Sequence, residues 1–228
     1  MKVHFVTPTR ISLINLTTIG DSEKREDETK IGKFSSGMAF ATALLLRDNV
    51  NIEINIYGGE DTIEEDEGNG FMYSAYTENI TYSTRNRICD STNKSKEVIL
   101  INYEKQFHGD CNSALTFSEG YTESNIVETA FALQLGYNWE LWMSYRELMS
   151  NVLDEGGYVL EQETCPELEH GTVITLTFDE ENDFYNVWQN RHLYMNFEKP
   201  LFKVSDSVEC LENKENYLRI YKQNILVY

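Results

Sequence analysis

Residues 138–157 read NWELWMSYRELMSNVLDEGG. Leu141, Tyr145, Leu148 and Val152 recur at helical spacing, which predicts an amphipathic helix over 138–154. Asn138 is placed to cap its start, with Glu140 in the first turn, and Gly156-Gly157 to stop it. Glu147, Asn151 and Asp154 stand at i, i+4 and i+7, so a carboxylate, an amide and a second carboxylate share one helix face. Asn and Asp are poor helix formers, and their position on this helix asks for a reason. One reason is a Mg–nucleotide site, with the Asn151 oxygen on the metal and Glu147 as base for a water. The other is a polar helix face with Asp154 near a C-terminal turn.

Outward from this helix the chain is rich in strand-like segments. Alternation predicts strands over 2–6, 51–57, 71–76, 80–84 and 97–103, then 172–178, and a terminal hairpin over 216–221 and 225–228. Shorter helices are expected over about 11–19 and 183–191, and an Ala/Leu-rich one over about 37–47. The polar stretch 20–30 reads as an exposed loop or lid. Residues 60–67 hold six acidic side chains in eight positions and read as a solvated loop, as does the acidic stretch 161–170. A division near 108–125 would separate residues 1–107 from 123–228 as two halves of one domain.

At 228 residues the chain is long enough for a full core without a disulfide or metal staple. Lys plus Arg is 19 against 38 Asp plus Glu, a net charge of −19. Such a surface is repelled by nucleic acid and by anionic membranes, so neither is expected as a direct partner. A small anion is still compatible, because a glycine loop at a helix start and Mg2+ offset charge locally. No apolar run reaches membrane-spanning length, and the start MKVHFVTPTR is too short and mixed for a signal peptide, so a cytoplasmic protein is expected. Cys89, Cys111, Cys165 and Cys210 are widely spaced and read as buried free thiols; His4, His108, His170 and His192 show no metal spacing.

Residues 31–38, IGKFSSGM, open the Ala/Leu-rich helix. Gly32 and Gly37 allow close backbone approach, and N–H groups at the helix start suit a phosphate. It is not a Walker loop, since Met38-Ala39 follows where Lys-Ser/Thr would stand. Taken together, E-L-x-x-N-x-x-D at 147–154 resembles the N-box of the GHKL superfamily (gyrase, heat-shock chaperone, histidine kinase and MutL ATPases). G-x-F-x-x-G at 32–37 resembles its second glycine box, and Leu16 to Lys24, LTTIGDSEK, ahead of that box is similar to the chaperones' segment between the two glycine boxes. The order is reversed, as in a circular permutation. Ile31 to Phe34, Leu44 to Arg47, Trp139, Arg146 to Leu148, Ser150-Asn151, Asp154 to Gly157, Ile220-Tyr221 and Val227-Tyr228 resemble an ordered pattern of phage-encoded, permuted GHKL-like proteins.

The resemblance implies an α/β (α+β) two-layer sandwich, a permuted Bergerat fold with a mixed sheet and helices on one face. It implies ATP and Mg2+ as cofactors and slow hydrolysis that serves a conformational switch. Glu147 would act on the attacking water and Asn151 would ligate Mg2+. Asp154 would support metal-bound waters or the base edge, and Gly32, Lys33, Phe34, Ser35, Ser36 and Gly37 would cap the phosphates. Lys24 and Lys33 are candidate phosphate partners. Thr7-Pro8-Thr9 stands where the first glycine box would carry an acidic residue, Ser35 where a glycine would, and Ala39 where a lysine would. Those departures fit a degenerate GHKL-like fold without nucleotide, acting as a structural or interaction protein. The charge of −19 fits a third reading, an acidic decoy of a host enzyme. Each reading leaves a protein partner to be identified.

Overall fold

A computed structural model describes residues 1–19, 36–64, 71–88, 95–108, 122–195, 202–205, 208–210, 220–222 and 225–226. Seven strands form one sheet: β1 (Lys2–Thr7), β2 (Asn51–Glu64), β3 (Phe71–Ile88), β4 (Ser95–His108), β5 (Thr122–Ala132), β6 (Tyr158–Glu161) and β7 (Gly171–Thr177). Their order is β5-β4-β3-β2-β7-β1-β6. Strands from before residue 108 and after residue 122 therefore interleave, with β7 between β2 and β1. Four helices accompany the sheet: α1 (Leu13–Thr17), α2 (Ser36–Arg47), α3 (Trp142–Asp154) and α4 (Asp183–Gln189). A second, four-stranded sheet has the order β11-β10-β9-β8, from β8 (Phe202–Ser205), β9 (Val208–Cys210), β10 (Ile220–Lys222) and β11 (Ile225–Leu226). Among the described residues no helix is long and apolar enough to cross a membrane.

The α+β class with helices on one face is as expected, but the large sheet is not mixed. Every neighbouring pair in it is antiparallel. Strands β2 to β5 are sequential neighbours, and antiparallel neighbours need no crossover between them.

Alternation assigns the two faces. Val3 and Phe5 of β1, Ile52, Ile54 and Ile56 of β2, Ile80 of β3, Ile101 of β4, and Ile174 and Leu176 of β7 are buried against the helices. Register holds this layer together, since Ile54 lies opposite both Ile80 and Ile174, and Leu176 opposite Val3 and Ile52. Leu16, Met38, Leu45, Tyr145, Leu148, Met149, Phe184 and Trp188 supply the helical side.

The opposite face buries Val6 and Val173 and is polar across β2 and β3. Asn79 Nδ2 donates to Glu53 Oε1 and to Asn55 Oδ1, each at 2.8 Å. That network explains a difference from expectation: 71–76 and 80–84 are parts of one strand, because the polar Thr77 to Asn79 continues it through cross-strand bonds. The backbone of 60–64 likewise pairs with 71–75 in strand, so the acidic run is only partly a loop. Strands β5 and β6 were not expected; both lie at sheet edges, where one-sided burial weakens the alternation.

Helix α3 starts at Trp142, not at Asn138. Leu141 holds the cap position without a side-chain cap bond, and tight turns precede it, with Trp139 N donating to Gly136 O at 2.9 Å. The far end is as expected: Gly156 takes a φ of 70°, and Gly157 N reaches back to Val152 O at 2.8 Å. Side-chain capping appears instead at α4, from outside it. Asp48 oxygens accept from the N–H groups of Asp183 (3.0 Å) and Phe184 (2.7 Å), which ties the end of α2 to the start of α4. Burial pushes the Asp48 carboxyl above its ordinary value although both N–H bonds pull the other way.

Loop 162–170 crosses the polar face and covers β1 and β7 there. His4 is fully buried; Nδ1 meets Thr175 Oγ1 at 2.9 Å and Nε2 meets the Gln162 carbonyl at 3.0 Å. Cys165 is a half-buried free thiol, more exposed than expected, between Asn55, Tyr57 and Thr175. Burial, then the neighbouring Cys165, pushes the Tyr57 hydroxyl pKa up. His4 thus has a structural assignment. Replacing it by Leu removes the partner of the Gln162 carbonyl and leaves the buried Thr175 hydroxyl only its contact with Cys165, and His4→Leu is expected to lower stability by about 1–3 kcal/mol, read as a shifted urea midpoint at unchanged slope.

Candidate functional site

Glu147 and Gly37 are 110 positions apart in the chain and in contact in the fold. Helices α2 and α3 pack side by side, and the Glu147 carboxylate lies where a Cβ on Gly37 would have to go: Cδ would stand 2.9 Å from it, and Oε2 nearer still. Only a residue without a side chain admits this approach. The contact falls in the first turn of α2, which carries no acidic residue of its own. A helix start favours negative charge, so Glu147 supplies from α3 the carboxylate that α2 lacks.

Glu147 is held from the other side by its neighbour. Arg146 Nε and Nη2 both donate to Glu147 Oε1, at 3.1 and 2.6 Å. The guanidinium lies 5.3 Å from the Trp139 ring centre and 5.7 Å from that of Trp142. Trp139 in turn stacks on Phe40 of α2 at 4.6 Å, and Trp142 on Tyr194 at 5.3 Å. Aromatic rings thus orient the arginine, and the arginine fixes one carboxylate oxygen. The other oxygen, Oε2, faces the start of α2.

One and two turns further on, Asn151 and Asp154 are half-buried on the same side of α3. Among the described residues the Asn151 side-chain amide makes no hydrogen bond. A mid-helix asparagine, half out of water and unclaimed, keeps its oxygen available as a ligand, which fits a Mg2+ position. No group of three or more His, Cys, Asp or Glu suited to a metal occurs among the described residues.

The turn after β1 closes this end of α3. Thr9 Oγ1 donates to Glu155 Oε2 at 2.5 Å, and the Thr172 hydroxyl donates to Thr9 O (2.8 Å) while accepting from Ile11 N (3.0 Å). The His170 ring contacts Pro8 O at 3.0 Å. Thr7-Pro8-Thr9 is therefore clamped between α3 and the start of β7.

Of the residues singled out from sequence, Glu147 and Gly37 meet at the α2–α3 junction, and Asn151 and Asp154 follow Glu147 along the same side of α3. Ser36 begins α2. Lys24, Gly32, Lys33, Phe34 and Ser35 lie outside the described residues. Sequence reasoning treated Arg146 and Trp139 only as parts of a pattern and passed over Phe40, Trp142 and Thr172. The i, i+4 spacing of Trp142 and Arg146 was the available signal for the aromatic cage. No family model matches the chain, and neither does any curated protein or solved structure.

The contact has a sign that can be measured. Gly37→Ala is expected to destabilise the wild type by about 1–3 kcal/mol, because the methyl group displaces Glu147. In a Glu147→Ala background the same change is expected to stabilise by about 0.5 kcal/mol, the ordinary gain of Ala over Gly in a helix. A double-mutant cycle by urea denaturation checks it; additive values would contradict the contact.

Proposed function

We propose that this chain binds Mg–ATP at the α2–α3 junction and uses it as a slow ATPase or nucleotide-dependent conformational switch. The observation that carries the reading is the meeting of Gly37 with Glu147. Two short motifs, singled out for one ligand, converge in space although the chain order gives no reason for it. The layout supports it further: helices cover one face of an antiparallel sheet, and the glycine-bearing start of a helix opens beside a polar helix face. On this reading the fold is a permuted Bergerat fold and Lys24, Lys33 and loop 32–37 complete the phosphate grip.

Mg2+, when bound, would supply positive charge against the phosphates. Asn151 would hold the metal through its side-chain oxygen, and the N–H groups at the start of α2 would serve the phosphates. Glu147 Oε2 orients a water and accepts its proton, while Arg146 on Oε1 fixes the direction of the carboxylate. Asp154, two turns along, orients metal-bound water or the base edge. Positioning of this kind is most of what phosphoryl transfer asks of a protein. The degenerate reading is favoured by one observation: Arg146 already satisfies Glu147 Oε1, and an ion pair closed in this way is stable without ligand.

Calorimetric titration with Mg2+ and a non-hydrolysable ATP analogue separates the two. Saturable binding is expected in wild type, at least tenfold weaker in Asn151→Ala and retained in Glu147→Ala, with turnover abolished in the latter. Absence of heat and of any melting shift at millimolar nucleotide would contradict the proposal and leave the degenerate fold.

A further inference from the structure

Helix α3 has a second face that the nucleotide reading does not use. Tyr145, Met149, Val152 and Leu153 project roughly opposite to Glu147, Asn151 and Asp154 at about 100° per residue. They form one wall of an open cleft of about 380 Å3, with β6 and α4 as the others. Its lining is mainly apolar, closed by Trp188 of α4 and by Tyr158 and Val159 of β6. The polar groups at the cleft are already oriented. Trp188 Nε1 donates to Glu161 Oε2 at 3.1 Å. Arg191 is folded back on α4, 4.1 Å over the Trp188 ring and donating to Trp188 O.

Beside the cleft runs the outer edge of β6, the last strand of the seven-stranded sheet. Exposed edges are commonly blunted by Lys, Pro or a bulge. β6 reads Tyr158-Val159-Leu160-Glu161 and pairs with β1 in unbroken register; it carries no Lys, Pro or bulge, and only its four-residue length and Glu161 limit the edge. Tyr158 is 49% exposed. Val159 and Glu161 lie opposite Phe5 and Val3, so they face the helices. A strand added beside β6 would sit about 4.8 Å away and direct every second side chain towards the cleft. Its remaining side chains would face the side crossed by loop 162–170, where Glu163, Glu167 and Glu169 are exposed. From residue 147 to residue 190 the chain carries eleven carboxylates and no lysine or arginine.

We propose that the β6 edge and its cleft dock an extended, basic segment of a partner protein, with apolar residues alternating with Lys or Arg. Its main chain continues the sheet, its apolar side chains enter the cleft between β6 and α4, and its cations meet the acidic loop. The site is independent of the nucleotide reading and stands or falls separately from it.

The test is an array of seven-residue peptides with Lys or Arg alternating with Val, Ile, Leu, Phe or Trp, beside counterparts with Glu in place of the cations. Hits are then measured by fluorescence anisotropy. Basic peptides are expected to bind saturably, at least tenfold weaker to Tyr158→Ala and to Glu163→Lys. Both substitutions are at exposed positions and are expected to leave melting unchanged. Affinity is also expected to fall as salt rises. Three results would overturn the proposal: no array peptide bound, Glu peptides bound as tightly as basic ones, or binding unchanged in Tyr158→Ala. A dimer in sedimentation that Tyr158→Ala dissociates, without peptide binding, would assign the edge to a second copy and overturn it as well.

Discussion

Glu147 rests against a glycine, and that approach sets the distance between α2 and α3. A side chain at residue 37 would force the helices apart, or turn the carboxylate away from the helix start that favours it. Arg146 lowers the cost of holding the charge half out of water by pairing with one oxygen, at 2.6 Å for the closer bond. The arginine is itself held by Trp139 and Trp142, and Trp139 returns the chain of contacts to α2 through Phe40. Helix spacing, carboxylate orientation and the aromatic cage are thus one arrangement, and altering any part of it alters the others.

The sheet beneath provides the rigid reference for that arrangement. Its helix-facing layer of Val, Ile, Leu and Phe is in register across β1, β7, β2 and β3, and the helices rest on it. Its opposite face carries hydrogen-bonded polar side chains beside the buried Val6 and Val173, and is partly covered by loop 162–170 through His4, Cys165 and Thr175. Two different layers result: one carries α2 and α3, and the other fixes the loop that follows β6. Helix α3 lies on the first of them, with Glu147 against α2 and its apolar face towards the sheet and the β6 cleft.

Strands with regular alternation, such as 51–57 and 172–178, and the helices over 37–47 and 138–154 were legible from residue pattern. What escaped did so for identifiable reasons. The polar Thr77 to Asn79 interrupts an alternation that tertiary hydrogen bonds continue. Strands β5 and β6 are edges and bury too little to show a clear period. Asn138 has the chemistry of a cap, but the turns that let Trp139 stack on Phe40 move the helix start to Trp142. At the candidate site the residue types and their shared face were readable, since helical spacing alone places Glu147, Asn151 and Asp154 together. The Gly37–Glu147 approach and the arginine cage were not, because both depend on how two helices distant in sequence lie on one sheet.

The claim that these helices form a single nucleotide site is tested most directly by hydrogen exchange of the whole chain, with and without Mg2+ and a non-hydrolysable ATP analogue. The account predicts slowed exchange concentrated in the first turn of α2 and in 147–154 of α3, with β6 and α4 unchanged. Protection of neither segment, or of one without the other, at a nucleotide concentration that saturates any binding would contradict it.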